Sequence, residues 1–432
     1  MNSFGNYPES HPKSCHTISW QDQIMHLSQS IETTYLPIGM RRSYGDSCLN
    51  NDGAIVCMTG LNKLMSFDRE RGVMICEAGA TLQEILSVIV PEGFFLPVTP
   101  GTQYITIGGA IANDVHGKNH HRAGSFGNHV LSIGLMRSDY EGILICSEQE
   151  HSELFHATIG GLGLTGIIVW AEFSLITIPS PLIHATTEQF HGYAEFQELS
   201  KKNELENEYT VSWFDCFSGN AQSLRGLYTS GNFTKGQSDH KSSSLLTIPV
   251  KVPEFVLNRY SIALFNELYF RKQITKVQES VIHYSPFFYP LDAIGQWNNL
   301  YGKRGFLQYQ CVIPHNDSLE ILSEILIQMK KNNMGSFLVV LKSFGDIPSK
   351  GLLSFPMPGI TIAMDFPMRG YETLRLLEQF DEMVYQAGGR VYPAKDARMS
   401  PKHFTQWYPA FERINAIKDP KIESTFWKRM MQ

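Results

Sequence analysis

Residues 113–129 read NDVHGKNHHRAGSFGNH and bring His116, His120, His121 and His129 into one short stretch of a chain with 15 histidines in 432 residues. Histidine changes charge near neutral pH and serves as base, proton shuttle or metal ligand. Three chemistries are open here: a metal site, an anion cradle, or a surface laid against a flat cofactor. His116 and His120 have the i,i+4 spacing of a helical ligand pair, but Gly117 between them argues against a helix. No carboxylate or cysteine completes a familiar ligand set, so no metal is expected. Gly117, Gly124 and Gly127, with Gly101, Gly108 and Gly109 in the preceding PGTQYITIGGAIA, would let backbone approach a ligand closely.

A second glycine turn, PIGMRRSYGDS (37–47), lies between strand-like segments. Consecutive N–H groups in such a turn can form a nest for an anion. Arg41 and Arg42 beside it suit a pyrophosphate, although an ordinary tight turn with exposed arginines fits the same residues. A third run, GLGLTG (Gly161, Gly163, Gly166), matches G-x-G-x-x-G. A dinucleotide fingerprint needs a strand before it and a helix after it. Here the helix-like EHSELFHATIG precedes and the strand-like IIVWAEFSLI follows. The order is reversed, so close packing on a flat ligand is the reading left to it.

The elements that must position these turns alternate short strands, turns and a few helices over residues 31–176. GAIVCM and GVMICEAG read as strands. Thr81-Leu-Gln-Glu84 is a capping box that opens the helix TLQEILSVIVPEG, closed by Pro91 and Gly93. TIGGAIA reads as a packed turn, EHSELFHATIG as a short helix and GIIVWAEFSLITI as a long strand. Composition shifts at TIPSPLIHATT (177–187), which marks a domain boundary. Beyond it YTVSWFDCF, FLQYQCVI, SFLVVLKSF and ITIAMDF read as strands. SLEILSEILIQMKKNN and YETLRLLEQFDEMVYQAGG read as amphipathic helices, the second with a glycine C-cap. Residues 218–250, rich in Ser, Gly and Thr, read as a mobile loop.

The bulk numbers limit the function classes. The length predicts two or three domains. A net charge of −6, from 36 basic and 42 acidic residues, argues against a nucleic-acid binder held by bulk charge. The start MNSFGNYPES has neither a basic nor an apolar signal region. No run of about 18 apolar residues predicts a spanning helix. The 7 cysteines are scattered with no C-x-x-C pair, which suits reduced thiols in a cytosolic protein.

In this order, the glycine turns resemble the FAD-binding half of the vanillyl-alcohol-oxidase-type flavoproteins. RRSYGD, PVTPGTQYITIGGAIANDVHGKNHHRAGSFGNHV, ATIGGLGLTGII, FFYPLDAIGQWNNLYGKRGFLQYQCVIP and YPAKDAR carry the likeness further, to the decaprenylphosphoryl-β-D-ribose 2′-oxidase family. It runs from about residue 35 to 432, with HGKNHH and AKD its most specific parts. The implied fold is α+β: a two-part FAD-binding domain (1–178 with a C-terminal return, 392–432) and an α+β substrate domain with an antiparallel sheet (179–391).

The resemblance also implies roles. The turn Ile38, Gly39, Met40, Arg41, Arg42, Ser43, Tyr44, Gly45 and Asp46 would hold the pyrophosphate. Pro100, Gly101, Thr102, Gly108, Gly109 and Asn113 would line the cofactor, with Gly117, Ile167 and Tyr392. His116 would sit beside the isoalloxazine ring, Lys118 would reach toward the sugar, and the other histidines would buttress the loop. Many relatives outside this family tether FAD to a histidine in the first turn. Here RRSYGD carries Tyr44 instead, so FAD is expected to be non-covalent.

The implied reaction oxidises a secondary alcohol of a polyprenyl-phosphoryl ribose, the hydride passing to flavin N5, as half of a 2′-epimerisation shared with a short-chain reductase partner. Such a site needs a base near the hydroxyl and positive charge near flavin N1/C2=O. Lys395 is the choice for the electrostatic role, and Lys395, Tyr44 and His116 compete as base. Gln308 and Gln310 alternate onto one strand face and would bind sugar hydroxyls or the flavin edge. Lys342 would contact phosphate or snorkel at the surface. Some family members carry a cysteine where ITIAMDFP has Ala363, which touches pocket shape more than reaction type. A soluble alditol or aldonolactone oxidase of the same superfamily is the alternative, and an FAD-binding protein without activity a third reading.

A polyprenyl tail cannot be presented from water. The expected location is therefore the cytoplasm, with peripheral contact at the inner membrane face. Segment 250–276 offers Phe255, Val256, Leu257, Tyr260, Ile262, Leu264, Phe265, Leu268, Tyr269 and Phe270, interrupted by Lys251, Arg259, Arg271, Lys272 and Lys276. A helix packed on the substrate domain fits the same residues.

Overall fold

The computed structural model describes residues 1–237 and 246–432. Its architecture is α+β. A parallel three-stranded sheet runs in the order Ser14–Thr17, Ala54–Cys57, Tyr35–Ile38. An antiparallel five-stranded sheet follows in the order Leu64–Asp68, Val73–Glu77, Ile167–Ser174, Val130–Met136, Leu144–Ser147. Thr81 caps Leu82–Ile89 with the reciprocal Glu84 bonds of a capping box, and Gly93 ends the following turn at φ +80°.

The largest sheet has eight strands in the order Val277–His283, Leu182–His191, Arg225–Thr234, Tyr209–Phe214, Val339–Phe344, Gly359–Pro367, Phe306–Ile313, Arg390–Val391. Every neighbouring pair is antiparallel. Helices Gly192–Glu206, Ser318–Lys331 and Tyr371–Gln386 supply Tyr193, Phe196, Leu322, Ile325, Leu376 and Phe380 to a core shared with Phe190, Tyr309 and Ile362 of the sheet. Strand side chains alternate between faces. With Leu307, Tyr309 and Cys311 turned into this core, Gln308 and Gln310 look out from the opposite face. That opposite face is one wall of the functional cavity.

The C-terminal segment folds back onto the first sheet. Tyr35 N–H donates to Lys421 C=O and Thr425 N–H to Leu49 C=O. Arg429 spans from the Asp46 carboxylate (2.9 and 3.0 Å) to that of Asp396 (2.9 Å).

Three expectations need correction. TIGGAIA is not a turn but the helix Ile107–Ala112, because the Thr106 side chain accepts the Gly109 N–H as an N-cap. Within 218–250, Arg225–Thr234 is a strand in the middle of the large sheet and Leu246–Thr247 a short strand; residues 238–245 lie outside the described residues. Segment 250–276 contains the helix Arg259–Arg271, whose inner face buries Ile262, Asn266 and Phe270. Phe270 is therefore core, not part of an interfacial surface, while Tyr260, Leu264 and Leu268 remain 82, 61 and 62% exposed.

Candidate active site

The cavity lies between the glycine turns and the open face of the large sheet and has a volume of about 720 Å³. Ile38 to Tyr44, Pro100 to Thr102, Gly108, Gly109, Asn113, His116 to Lys118, Gln308, Gln310, Lys342, Tyr392 and Lys395 all line it. Residues 279 positions apart thus meet: the Tyr392 hydroxyl donates to Asn113 C=O at 2.7 Å.

Three assigned residues, Gly45, Asp46 and Ile167, do not line it. Gly45 faces the C-terminal segment; a Cβ there would lie 1.5 Å from Asp396 C=O, so glycine is required by backbone approach and not by a ligand. Ile167 is buried and starts a strand paired with Met136, while its neighbours Gly166 and Ile168 reach the cavity. The first turn is also shorter as a cradle than expected. Tyr44 N–H donates to Ala394 C=O and Asp46 N–H to Asp396 C=O. Asp46 is occupied by Arg429.

What remains of that turn fits an anionic cofactor. Among the described residues, the N–H groups of Gly39 to Ser43 donate to no protein acceptor. Arg42 Nε is buried without a partner. A buried guanidinium nitrogen is rarely left unpaired, so Arg42 calls for an acceptor from outside the chain, and the part-exposed N–H groups of Gly39 to Ser43 beside it are open to the same acceptor. Gly101 has nothing within 4 Å of where a Cβ would be, which leaves the opposite rim clear.

The histidine loop is pinned by a residue the sequence reading passed over. Buried Asp114 accepts Gly127 N–H (2.8 Å) and the Ser125 hydroxyl (2.8 Å), and the Ser354 hydroxyl from 240 positions along the chain (2.5 Å). His129 Nε2 meets Ala123 C=O at 2.8 Å, and His121 Nε2 meets Asn207 C=O at 3.1 Å. His120 packs on Phe344 with ring centroids 4.5 Å apart.

His116 alone of the four faces the cavity. Its Nε2 is 2.9 Å from the Gln310 carboxamide nitrogen and its Nδ1 3.4 Å from Lys342 Nζ. Both partners are donors, and a neutral ring accepts at only one nitrogen, so its single lone pair is taken by one of them. Burial, then Lys342, hold its pKa well below the usual value, so the ring is neutral. Lys342 also donates to Gly117 C=O at 3.2 Å, so it is an inward-pointing lysine and not a snorkelling one. Lys118 donates to Phe287 C=O and lies 4.5 Å from the Phe287 ring centroid.

Lys395 Nζ sits 3.9 Å from the centroid of the Tyr44 ring. Burial lowers the amines of Lys118 and Lys395 to about 7 and that of Lys342 to about 8. None of the three forms an ion pair among the described residues. The nearest acid in the same cluster is Asp365, pushed up to about 7 by burial; it accepts Gln308 Nε2 at 2.7 Å. Burial raises the Tyr44 phenol well above its usual value, so it stays protonated at neutral pH. Asp365 is opposite Gln308 in the strand register. Its sequence shows only an acid before Phe-Pro; pairing alone brings it to the site.

This is the site of an FAD-dependent oxidoreductase acting on CH–OH groups. The FAD-binding domain family matches residues 15–141. The chain is 35% identical over 396 residues to decaprenylphosphoryl-beta-D-ribose oxidase of Mycolicibacterium smegmatis, covering 88% of this chain and 85% of that one. An uncharacterised Streptomyces coelicolor protein is 27% identical over 79% of this chain and 96% of its own. Cytokinin dehydrogenase 1 of Arabidopsis thaliana is 25% identical over 48% of this chain and 36% of its own. The chain belongs to the decaprenylphosphoryl-β-D-ribose oxidase family.

Proposed function

We propose that this protein oxidises the C2′ hydroxyl of a polyprenyl-phosphoryl β-D-ribose to the 2′-keto sugar, the first half of a 2′-epimerisation toward arabinose that a short-chain reductase completes. The observation that carries this reading is the pair Lys118 and Lys342, which line the cavity, are desolvated there and form no ion pair among the described residues. Buried cations without a counter-charge are costly. A phosphoryl group on the substrate would supply that charge, and the relative from M. smegmatis is named for such a substrate.

Residues 1–178 and 392–432 form the FAD-binding part and 179–391 the substrate part. Gly39 to Ser43 hold the pyrophosphate by N–H groups, with Arg42 beside them. FAD is held non-covalently, since Tyr44 stands where a tethering histidine would be. Bound FAD supplies the hydride acceptor. Lys395, as the neutral amine, takes the hydroxyl proton while the C2′–H bond gives up its hydride. The ammonium it becomes then offsets the negative charge that reduction brings to the site. Tyr44 and His116 are set aside as base: the phenol holds its proton too tightly, and the one lone pair of the neutral imidazole faces a donor, Gln310 or Lys342. His116 and Gln310 instead form the fixed wall against which the sugar is oriented, and Lys118 and Lys342 receive the phosphoryl group.

Anaerobic mixing of the yellow holoprotein with polyprenyl-phosphoryl ribose should bleach the visible flavin band, and acid precipitation should leave the flavin in the supernatant. Bleaching by alditols or aldonolactones but not by the phosphoryl sugar would overturn the substrate assignment, and flavin in the pellet the mode of attachment.

A further inference from the structure

The open face of the large sheet continues well beyond the sugar site. Gln310 is directly paired with Ala363, Ala363 with Val340, Val340 with Trp213 and Trp213 with Leu227. Directly paired residues share one face. These five side chains therefore form a single row across five strands, roughly 19 Å long at ~4.8 Å per strand. All five line the same continuous cavity. The row is polar only where it begins, at Gln310 beside Lys342, and apolar from Ala363 onward.

Helix Arg259–Arg271 roofs the far end. The Tyr269 ring lies 4.8 Å from that of Trp213 and stacks on Phe265 at 5.8 Å. Lys272 Nζ is 4.9 Å from the Tyr269 centroid. Beyond this gate the helix shows Leu264 and Leu268 to solvent, an exposed apolar surface of the kind that marks contact with a membrane or partner.

We propose that the row Ala363–Val340–Trp213–Leu227 is a binding groove for the isoprenoid chain of the substrate, which leaves the protein beneath Tyr269 at the apolar rim of helix Arg259–Arg271. The inference rests on the polyprenyl-phosphoryl reading. The groove is continuous with the sugar site, so a chain attached to a phosphoryl group at Lys342 has this floor immediately beside it. A hydrocarbon chain lying there is removed from water at about 25 cal/mol per Å² of apolar surface. The departure at Ala363 then has a use: a methyl side chain leaves the entrance of the groove clear.

The test compares kcat/KM for polyprenyl-phosphoryl ribose with that for methyl-phosphoryl ribose, which lacks the chain, in the wild type, Val340→Trp and Leu227→Trp. The wild type should favour the long-chain substrate strongly. An indole laid across the row should cut that preference about tenfold or more in both variants. Polyprenyl phosphate without sugar should compete with the long-chain substrate in the wild type, a measurement independent of whether the variants fold. No preference in the wild type, a preference unchanged in flavin-loaded variants, or no competition by polyprenyl phosphate overturns the groove. Self-association lost in Leu268→Ser with the preference intact would make the rim a contact between copies of this chain and overturn the exit beneath Tyr269. If the wild type oxidises neither phosphoryl sugar, the substrate reading itself has failed.

Discussion

In the proposed reaction the chemistry turns on Lys395, and its two possible duties have opposite pH signatures. Its amine is held at about 7, chiefly by burial, with Asp365 favouring the ammonium and Lys342 opposing it. As a base it must be neutral, so the rate of flavin reduction at saturating substrate should rise as pH climbs through 7. As a fixed cation it must be charged, and the rate should fall over the same range. Lys118 and Lys342 lose charge above about 7 and 8, so KM should worsen there in either case. Lys395→Ala should lower kcat by ~10²–10³ with flavin still bound. Arginine keeps the charge but cannot lose the proton. Lys395→Arg should therefore be as slow as alanine; near wild-type turnover in that variant would remove the base role. Asp365→Asn should move the rising limb to lower pH, because the carboxylate no longer favours the ammonium. The candidates Lys395, Tyr44 and His116 were all legible from motif, but their ranking was not: it depends on burial of the phenol and on Gln310 and Lys342 reaching His116 from other strands.

At the level of elements, the joint between the first glycine turn and the C-terminal segment is what holds Lys395 in place. Tyr44 and Asp46 donate their N–H groups to Ala394 and Asp396, and Arg429 ties Asp46 to Asp396. Gly45 lies between, with Asp396 C=O where a Cβ would project. Gly45→Ala should thus force the two backbones apart, at a cost of about 1–3 kcal/mol or more. The expected result is a lower Tm and a slower flavin reduction, since Lys395 adjoins Asp396. A variant matching wild type in both would mean the close approach is not needed. The sequence read Gly45 as cofactor-binding because glycines in a nest and glycines at a backbone crossing look alike. It read Thr81–Glu84 correctly because a capping box is local. It missed Ile107–Ala112, where two glycines mask a helix that Thr106 caps. It read 225–234 as loop because Ser, Gly and Thr there signal turns, whereas six residues of that strand, Gly226 to Gly231, pair on both sides in the sheet interior.

For the molecule as a whole, the proposed contact with an anionic lipid surface has to be reconciled with a net charge of −6. Among the described residues no helix is long and apolar enough to cross a membrane. Attraction must therefore be local. In that proposal helix Arg259–Arg271 would supply it, with Tyr260, Leu264, Phe265 and Leu268 exposed and Arg259, Arg271 and Lys272 around them. Apolar side chains would enter the interface while basic ones met headgroups, and the rest of the acidic protein would be kept off by the same field. The protein should co-sediment with anionic vesicles more than with neutral ones, and salt should weaken the association, because the Debye length falls from about 10 Å at 0.1 M to about 3 Å at 1 M. Leu264→Ser with Leu268→Ser should reduce sedimentation without lowering Tm, since neither side chain is packed. Phe270 is excluded from this test because it lies in the core beneath Arg225 and His191. Undiminished sedimentation of the double variant, or equal binding to neutral and anionic vesicles, would show that this helix is not the membrane-facing surface.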